Sequence, residues 1–207
     1  IPQFRDVTGQ AGLPPFFPAK CPHVEIQDFN NDGHPDLYFS AAWLDDDGSV
    51  TPLIYRHVGT REGVPRFEPI RRLREDDAPV YYPAGPTADL DGDGRLDLFL
   101  INWVRGNRCR LLRNVSPNAN AWLGLEVRGR SFNRQGIGTR VNVMQDGKLL
   151  GTQELSTGYG YASGQLSRCH FGLGKATQVD LELRFPKGTK RTIQGVTTLN
   201  RVITIEE

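Results

Sequence analysis

Asp28-Phe29-Asn30-Asn31-Asp32-Gly33-His34-Pro35-Asp36-Leu37-Tyr38-Phe39 and Asp89-Leu90-Asp91-Gly92-Asp93-Gly94-Arg95-Leu96-Asp97-Leu98-Phe99-Leu100 share one pattern. Each reads D-x-[DN]-x-D-G-x-x-D followed by an apolar run, and a fixed internal period points to one supersecondary unit used twice. Oxygen ligands at positions 1, 3 and 5, a turn-permitting glycine at 6 and a carboxylate at 9 describe a cage for a hard cation, which Ca²⁺ fills with six to eight oxygens. The first loop offers the side chains of Asp28, Asn30, Asp32 and Asp36, with the backbone carbonyl of His34 at position 7. The second offers Asp89, Asp91, Asp93 and Asp97, with the carbonyl of Arg95. Position 12, where an EF-hand needs a glutamate and an exiting helix, is Phe39 in one loop and Leu100 in the other. Magnesium fits less well, because it keeps several waters. The reading is two calcium sites of structural role, the second tighter because it carries four carboxylates against three. The competing reading is a pair of polar turns held by Asx hydrogen bonds.

Working outward, the segments after each loop, Leu37–Ser40 and Leu98–Ile101, are short and rich in apolar and aromatic residues, as strands are. Further strands are expected at Trp122–Val127, Arg140–Gln145, Leu149–Leu155, Val179–Phe185, Lys190–Ile193 and Val202–Ile205, with Asp146-Gly147 as a two-residue hairpin turn. Leu44–Thr51 and Arg71–Pro79 read as loop insertions. Residues 1–20, with Phe4, Val7, Leu13, Phe16 and Phe17 among prolines, read as an extended arm over an apolar surface. The 207 residues include 23 Gly and 14 Pro, too many breakers for a helical bundle, and no amphipathic helix is visible. The fold class is all-β.

Charge divides the chain. Residues 1–117 carry 13 basic and 17 acidic side chains, and residues 118–207 carry 12 and 7. Two units are expected at those boundaries. A formal net charge of +1 without a basic block argues against nucleic acid. No apolar run approaches the about 18 residues of a membrane span. Ile1-Pro2-Gln3 carries no signal pattern, and a mature or trimmed start is the expectation. Cys21, Cys109 and Cys169 form no CxxC pair, which argues against zinc. Cys21 with Cys109 is the disulfide to test, against the alternative of three buried thiols. Asn114-Val115-Ser116 has sequon form but precedes Pro117.

The loops resemble the FG-GAP (VCBS-type) repeats of integrin-like β-propellers, whose unit is a four-stranded blade with calcium in its loop. Tyr55-Arg56-His57-Val58-Gly59 leading to Arg66-Phe67-Glu68-Pro69-Ile70 resembles the connection between blades, as does Phe4-Arg5-Asp6-Val7-Thr8 with Ala11-Gly12-Leu13. Leu112-Arg113-Asn114, Trp122-Leu123, Asn133-Arg134-Gln135-Gly136-Ile137-Gly138-Thr139-Arg140-Val141, Gly158-Tyr159-Gly160-Tyr161 and His170-Phe171-Gly172-Leu173-Gly174 resemble the ASPIC/UnbV domain that closes the cartilage acidic protein family. Phe185-Pro186-Lys187-Gly188 stands where that family has Trp-Pro-x-Gly. The resemblance implies two β-propeller-blade-like repeats over 1–117 and a small β-sheet or sandwich domain over 118–207. Two blades do not close a propeller, which needs about four to eight. Either further blades, self-association, or packing of the arm and C-terminal domain covers the strand edges, the last being favoured.

The function implied is a secreted, periplasmic or cell-surface calcium-binding module for interaction or adhesion, with a protein or glycan ligand. The alternative is a calcium-dependent enzyme acting on carbohydrate or a secondary metabolite. Its support is thin: Asp45–Asp47, Glu75–Asp77 and Glu154 form no carboxylate pair, and Ser163 and Ser167 lie in no G-x-S-x-G elbow. His170 reads as structural, and Tyr159 and Tyr161 either pack between hairpins or stack on sugars.

Overall fold

The computed structural model describes residues 1–15, 23–71, 78–117, 119–161 and 163–207. All regular structure among them is strand. The first repeat is β1 (Val24–Gln27), β2 (Asp36–Leu44), β3 (Val50–Arg61) and β4 (Val64–Pro69), an antiparallel sheet in chain order, with β5 (Val80–Tyr81) added to the end of β2. The second is a shorter sheet, β6 (Thr87–Ala88), β7 (Asp97–Leu100) and β8 (Arg110–Leu112). In both, the acidic loop joins the first two strands: Asp28–Pro35 lies between β1 and β2, and Asp89–Leu96 between β6 and β7.

Side chains of β2 alternate as a strand buried on both faces requires. Tyr38 and Ala42 join Ile54, Phe29, Tyr82, Leu96, Leu98 and Leu100 in a core between the two repeats. Ala41 and Trp43 join Leu53 and Tyr55 in a second core on the opposite face, where Leu13 of the arm also packs. The arm caps an edge: the Phe67 amide of β4 donates to Ala11 O at 2.8 Å. Its tip departs from the expected cover, since Phe4 is 96% exposed. Phe16, Phe17 and Cys21 fall outside the described residues, as does most of the Arg71–Pro79 insertion. The expected insertion at Leu44–Thr51 is smaller than its sequence suggested. Leu44 ends β2, Val50 opens β3, and a turn closed by Asp45 N–Ser49 O (3.0 Å) joins them.

The C-terminal part packs two sheets face to face. One has β9 (Ala121–Arg128) central, between β14 (Cys169–Gly174) and β17 (Arg201–Glu206). The other runs β11 (Lys148–Glu154), β10 (Arg140–Gln145), β15 (Val179–Arg184), β16 (Lys190–Val196). Leu123, Leu125 and Val127 from one sheet meet Val141, Val143, Leu181 and Leu183 from the other, every second residue of each strand, in a core that also holds Cys169 and Phe171. Burial pushes the Cys169 thiol up to about 12, whereas Cys109 is exposed. The Asp146-Gly147 hairpin joins β10 to β11, both residues at positive φ (50° and 73°), as a type I′ turn requires. A small hairpin, β12 (Gly158–Tyr159) and β13 (Ser163–Gly164), leaves this unit and reaches back to the first repeat.

Candidate metal centre and its contact with the C-terminal sheets

The two acidic loops fold by one hydrogen-bond scheme. The position-1 carboxylate accepts the amide of the position-6 glycine: Gly33 N to Asp28 at 2.8 Å, Gly94 N to Asp89 at 3.0 Å. Position 3 accepts the amide of position 5, Asp32 N to Asn30 and Asp93 N to Asp91, both at 3.2 Å. Position 5 accepts the amide of position 7, His34 N to Asp32 and Arg95 N to Asp93, both at 2.9 Å. Gly33 and Gly94 hold φ of 89° and 84°, backbone that a side chain strongly disfavours.

Position 9 behaves differently from the others. Asp36 and Asp97 are buried, and each spends one oxygen on the position-2 amide of its own loop, Phe29 N or Leu90 N, both at 3.1 Å. The other oxygen accepts an amide from the third strand or just beyond it, His57 N within β3 for Asp36 and Asn114 N after β8 for Asp97, both at 2.8 Å. These two aspartates therefore tie loop to strand in both repeats. Each carboxylate oxygen retains a second lone pair for an ion.

Convergence differs between the loops. Carboxylate oxygens of Asp89, Asp91 and Asp93 lie within 4.8 Å of one another, and among the described residues this is the cluster with metal-holding spacing. Cations of the chain already meet it: Arg95 pairs with Asp93, and Arg113 bridges Asp91 and Asp93. In the first loop Asn30 takes the middle position, and its Nδ2 donates to Asp32 at 2.9 Å. Burial, with lesser repulsion from Asp32 and Asp36, pushes the Asp28 carboxyl up to about 7. Burial likewise raises Asp36 to about 6 and moves Asp89 upward. Carboxylates crowded and desolvated in this way favour any cation that neutralises them, so the donor set fits Ca²⁺. The side chains of His34 and Arg95 stand outside the set. The His34 ring is exposed and packs edge-on against His57 at 5.0 Å.

The loops are also the floor on which the C-terminal sheets rest. Asn31, fully buried at the variable fourth position of the first loop with φ of 57°, donates from Nδ2 to Gly94 O of the second loop at 2.8 Å. Its Oδ1 lies 2.8 Å from His170 Nε2 on β14, and its carbonyl accepts Gly174 N at 2.9 Å. The His170 ring stacks on Trp122 of β9 (5.5 Å, 17°), and Trp122 lies so close over Gly94 that a Cβ there would sit 2.0 Å from its indole. Gly172 has the same relation to the first loop, where a Cβ would meet Asp28 Oδ2 at 1.9 Å. Burial holds the His170 imidazole down at about 4, with Arg168 adding to the effect, so it sits neutral at this junction.

A family model for the FG-GAP-like repeat matches residues 28–100, and one for ASPIC and UnbV matches residues 129–207. Residues 28–100 are thus similar to FG-GAP-like repeats, and residues 129–207 to the ASPIC and UnbV family. It is similar to Cartilage acidic protein 1 of Homo sapiens, 26% identical over 188 residues, which cover 90% of this chain and 27% of that protein. The chain thus spans about a quarter of that relative's length.

Within the FG-GAP-like part, Arg113-Asn114 corresponds to Arg56-His57, each pair closing a repeat at its position-9 aspartate. Leu112-Arg113-Asn114, grouped above with the ASPIC/UnbV motifs, accordingly belongs to the end of the second repeat. The Asn114 amide nitrogen donates to Phe29 O (2.9 Å) and Leu96 O (3.2 Å), so its sequon is turned inward. The ASPIC and UnbV motif His170-Phe171-Gly172-Leu173-Gly174 is the docking strand. Asn31 escaped the sequence reading, because a variable loop position gives no local sign of a partner 139 residues away.

A second buried polar contact joins the same two parts. His23 and Glu25, 0% and 1% exposed, approach to 2.9 Å. His23 Nδ1 accepts Tyr161 N at 3.0 Å, and Gln165 Nε2 donates to Glu25 (3.0 Å) and lies 2.8 Å from Thr87 Oγ1. Gly160 lies directly on His23, with no room for a Cβ.

Proposed function

We propose that the protein is a non-enzymatic, calcium-binding interaction or adhesion module of the cell exterior, secreted, periplasmic or surface-held. The observation that carries this reading is the repeated loop geometry, converging on Asp89, Asp91 and Asp93. Asp28, Asn30, Asp32 and Asp36, with the His34 carbonyl, would hold one ion. Asp89, Asp91, Asp93 and Asp97, with the Arg95 carbonyl, would hold the other. Calcium supplies positive charge that neutralises the crowded carboxylates, and the chain's residues do the rest. The glycines curl the loops, the position-9 aspartates fasten them to the strands, and Asn31 passes their shape to the C-terminal sheets. The functional units are residues 1–117 and 118–207, and the ligand is a protein or glycan. β8, with Leu111 exposed and no strand on its outer side among the described residues, supports association with further blades or self-association.

Among the described residues no helix is long and apolar enough to cross a membrane. Calorimetric titration of calcium into chelator-stripped protein, with Tm followed in parallel, tests the metal reading. Two binding events and a rise in Tm are expected, since an ion at 100 times its Kd adds about 2.7 kcal/mol. Absence of heat and of any Tm change at millimolar calcium refutes it.

A further inference from the structure

The surface carries a paired aromatic feature that the metal loops do not use. Trp103, in the segment after β7, and Tyr161, in the β12–β13 turn, meet edge to face at 6.1 Å and 76°. Both stay exposed, at 61% and 48%. Two rings packed edge to face form a corner, and each leaves part of its surface open to solvent.

Their backbones are fixed from beneath. Asn102 Nδ2 donates to Tyr81 O at 2.9 Å, its Oδ1 accepts Val104 N at 2.7 Å, and its own amide meets Cys109 Sγ at 3.3 Å, so Trp103 is clamped on both sides. A turn closed by Asn107 N–Val104 O (3.1 Å) follows. Tyr161 is anchored through its amide to the fully buried His23. Exposed aromatic rings on fixed backbone lose little conformational entropy on binding, which is what makes them effective contact surfaces.

Charge then narrows the ligand. No Asp or Glu occurs between Leu98 and Leu125 or between Leu155 and Val179, the stretches that carry the two rings. The turn beside Trp103 holds exposed Arg105 and Arg108, and among the described residues neither is in an ion pair. Aromatic faces match the C–H faces of pyranose rings, and unpaired guanidiniums match carboxylate or sulfate.

We infer that the Trp103–Tyr161 corner, with Arg105 and Arg108, is a binding site for an anionic saccharide, a pyranose bearing carboxylate or sulfate. This rests on the reading of the protein as an interaction module and specifies its ligand. It does not depend on the metal, since none of the four residues belongs to an acidic loop.

The test is calorimetry, with tryptophan fluorescence alongside, on the whole chain in calcium buffer and again in chelator. The probes are oligogalacturonate, heparin oligosaccharide, neutral maltooligosaccharide and polyglutamate. Binding of one or both anionic saccharides, weakening with salt, is expected to exceed that of maltooligosaccharide and polyglutamate by about tenfold or more. Oligogalacturonate against heparin separates carboxylate from sulfate as the recognised group. Trp103→Ala and Tyr161→Ala should each weaken that binding about tenfold at unchanged Tm, and Arg105→Ala/Arg108→Ala should also flatten the salt dependence. Equal binding of polyglutamate, equal binding of the neutral sugar, or binding of no saccharide overturns the inference. Calcium heats measured in the same preparation report on the metal reading separately.

Discussion

His170 Nε2 and Asn31 Oδ1 lie 2.8 Å apart, and through that one amide a strand of the C-terminal sheets touches both acidic loops. Asn31 spends its oxygen on β14, its nitrogen on Gly94 of the other loop, and its backbone carbonyl on Gly174. Its backbone is left-handed, which costs a side-chain-bearing residue about 1 kcal/mol and which asparagine tolerates better than most. Removing its amide leaves two buried partners unsatisfied. Asn31→Gly, which relaxes the backbone while deleting the side chain, is therefore expected to lower stability by about 2 kcal/mol in urea unfolding. Asn31→Ala should lose about 1 kcal/mol more, because alanine also takes on the φ of 57°.

The close approach of Trp122 to Gly94 gives a second prediction with an internal control. Gly94 and Gly48 share a φ of 84°, but a Cβ at Gly48 meets nothing within 4 Å, while at Gly94 it meets the indole at 2.0 Å. Gly48→Ala reports the backbone term alone, about 1 kcal/mol. Gly94→Ala must also displace Trp122 from His170, and a loss of about 3 kcal/mol or more is expected. Comparing urea midpoints of the two variants checks this, and equal losses would show that the sheets give way freely over the loop.

The acidic loops were legible in the sequence because their ligand pattern is local: nine residues contain the alternation, the glycine and the closing aspartate. β9, β10 and β15 were legible for the same reason, each showing apolar residues at every second position. β3 was harder. Pro52 reads as a breaker inside Val50–Arg61, yet it pairs with Ala42 where the β2–β3 register shifts, a place where a missing N–H does little harm. β14 was hidden by Gly172 and Gly174, which read as loop residues until Asp28, Asn31 and Asp32 are seen against them. The roles of Asn31, His170 and Trp122 depend on contacts between distant segments and leave no periodic trace.

On the proposed metal assignment, protons and calcium compete for the first loop. A carboxyl raised from 3.8 to about 7, as Asp28 is, and another raised to about 6, as Asp36 is, keep their protons in the metal-free fold where the unfolded chain has lost them. The metal-free fold binds more protons than the unfolded chain over that window, so this pair makes its stability fall as pH rises from about 4 to about 7. Neutral His170, lowered from 6.5 to about 4, works in the opposite sense, its contribution being lost as pH falls through the same range. Bound calcium would hold the carboxylates ionised and so remove the first effect while leaving the second. The Tm difference between calcium and chelator should therefore widen from pH 5 to pH 7.5. Asp91→Asn, which leaves the first loop as the metal site, should show this more steeply than Asp32→Asn. A difference independent of pH in both variants would contradict the assignment.

Arg113 pairs with two of the proposed ligands of the second loop, Asp91 and Asp93. Partial burial pushes the Asp91 carboxyl up, but the hydrogen bonds and charge of Arg113, with the Asp93 amide, carry it below the usual range. The same guanidinium reaches Asp93, so an incoming ion must displace or share these oxygens with a cation already there. Arg113 is exposed, so solvent screens its ion pairs and deleting its head should leave stability in chelator nearly unchanged. Arg113→Ala is expected to tighten calcium binding at the second loop about tenfold, with the first loop unaffected. Arg113→Lys, which keeps the charge and loses the fork, should fall between the two. Calorimetric titration of the three proteins in one buffer reads the result. Weaker binding in Arg113→Ala would mean that the arginine organises the carboxylates for the ion and does not compete with it.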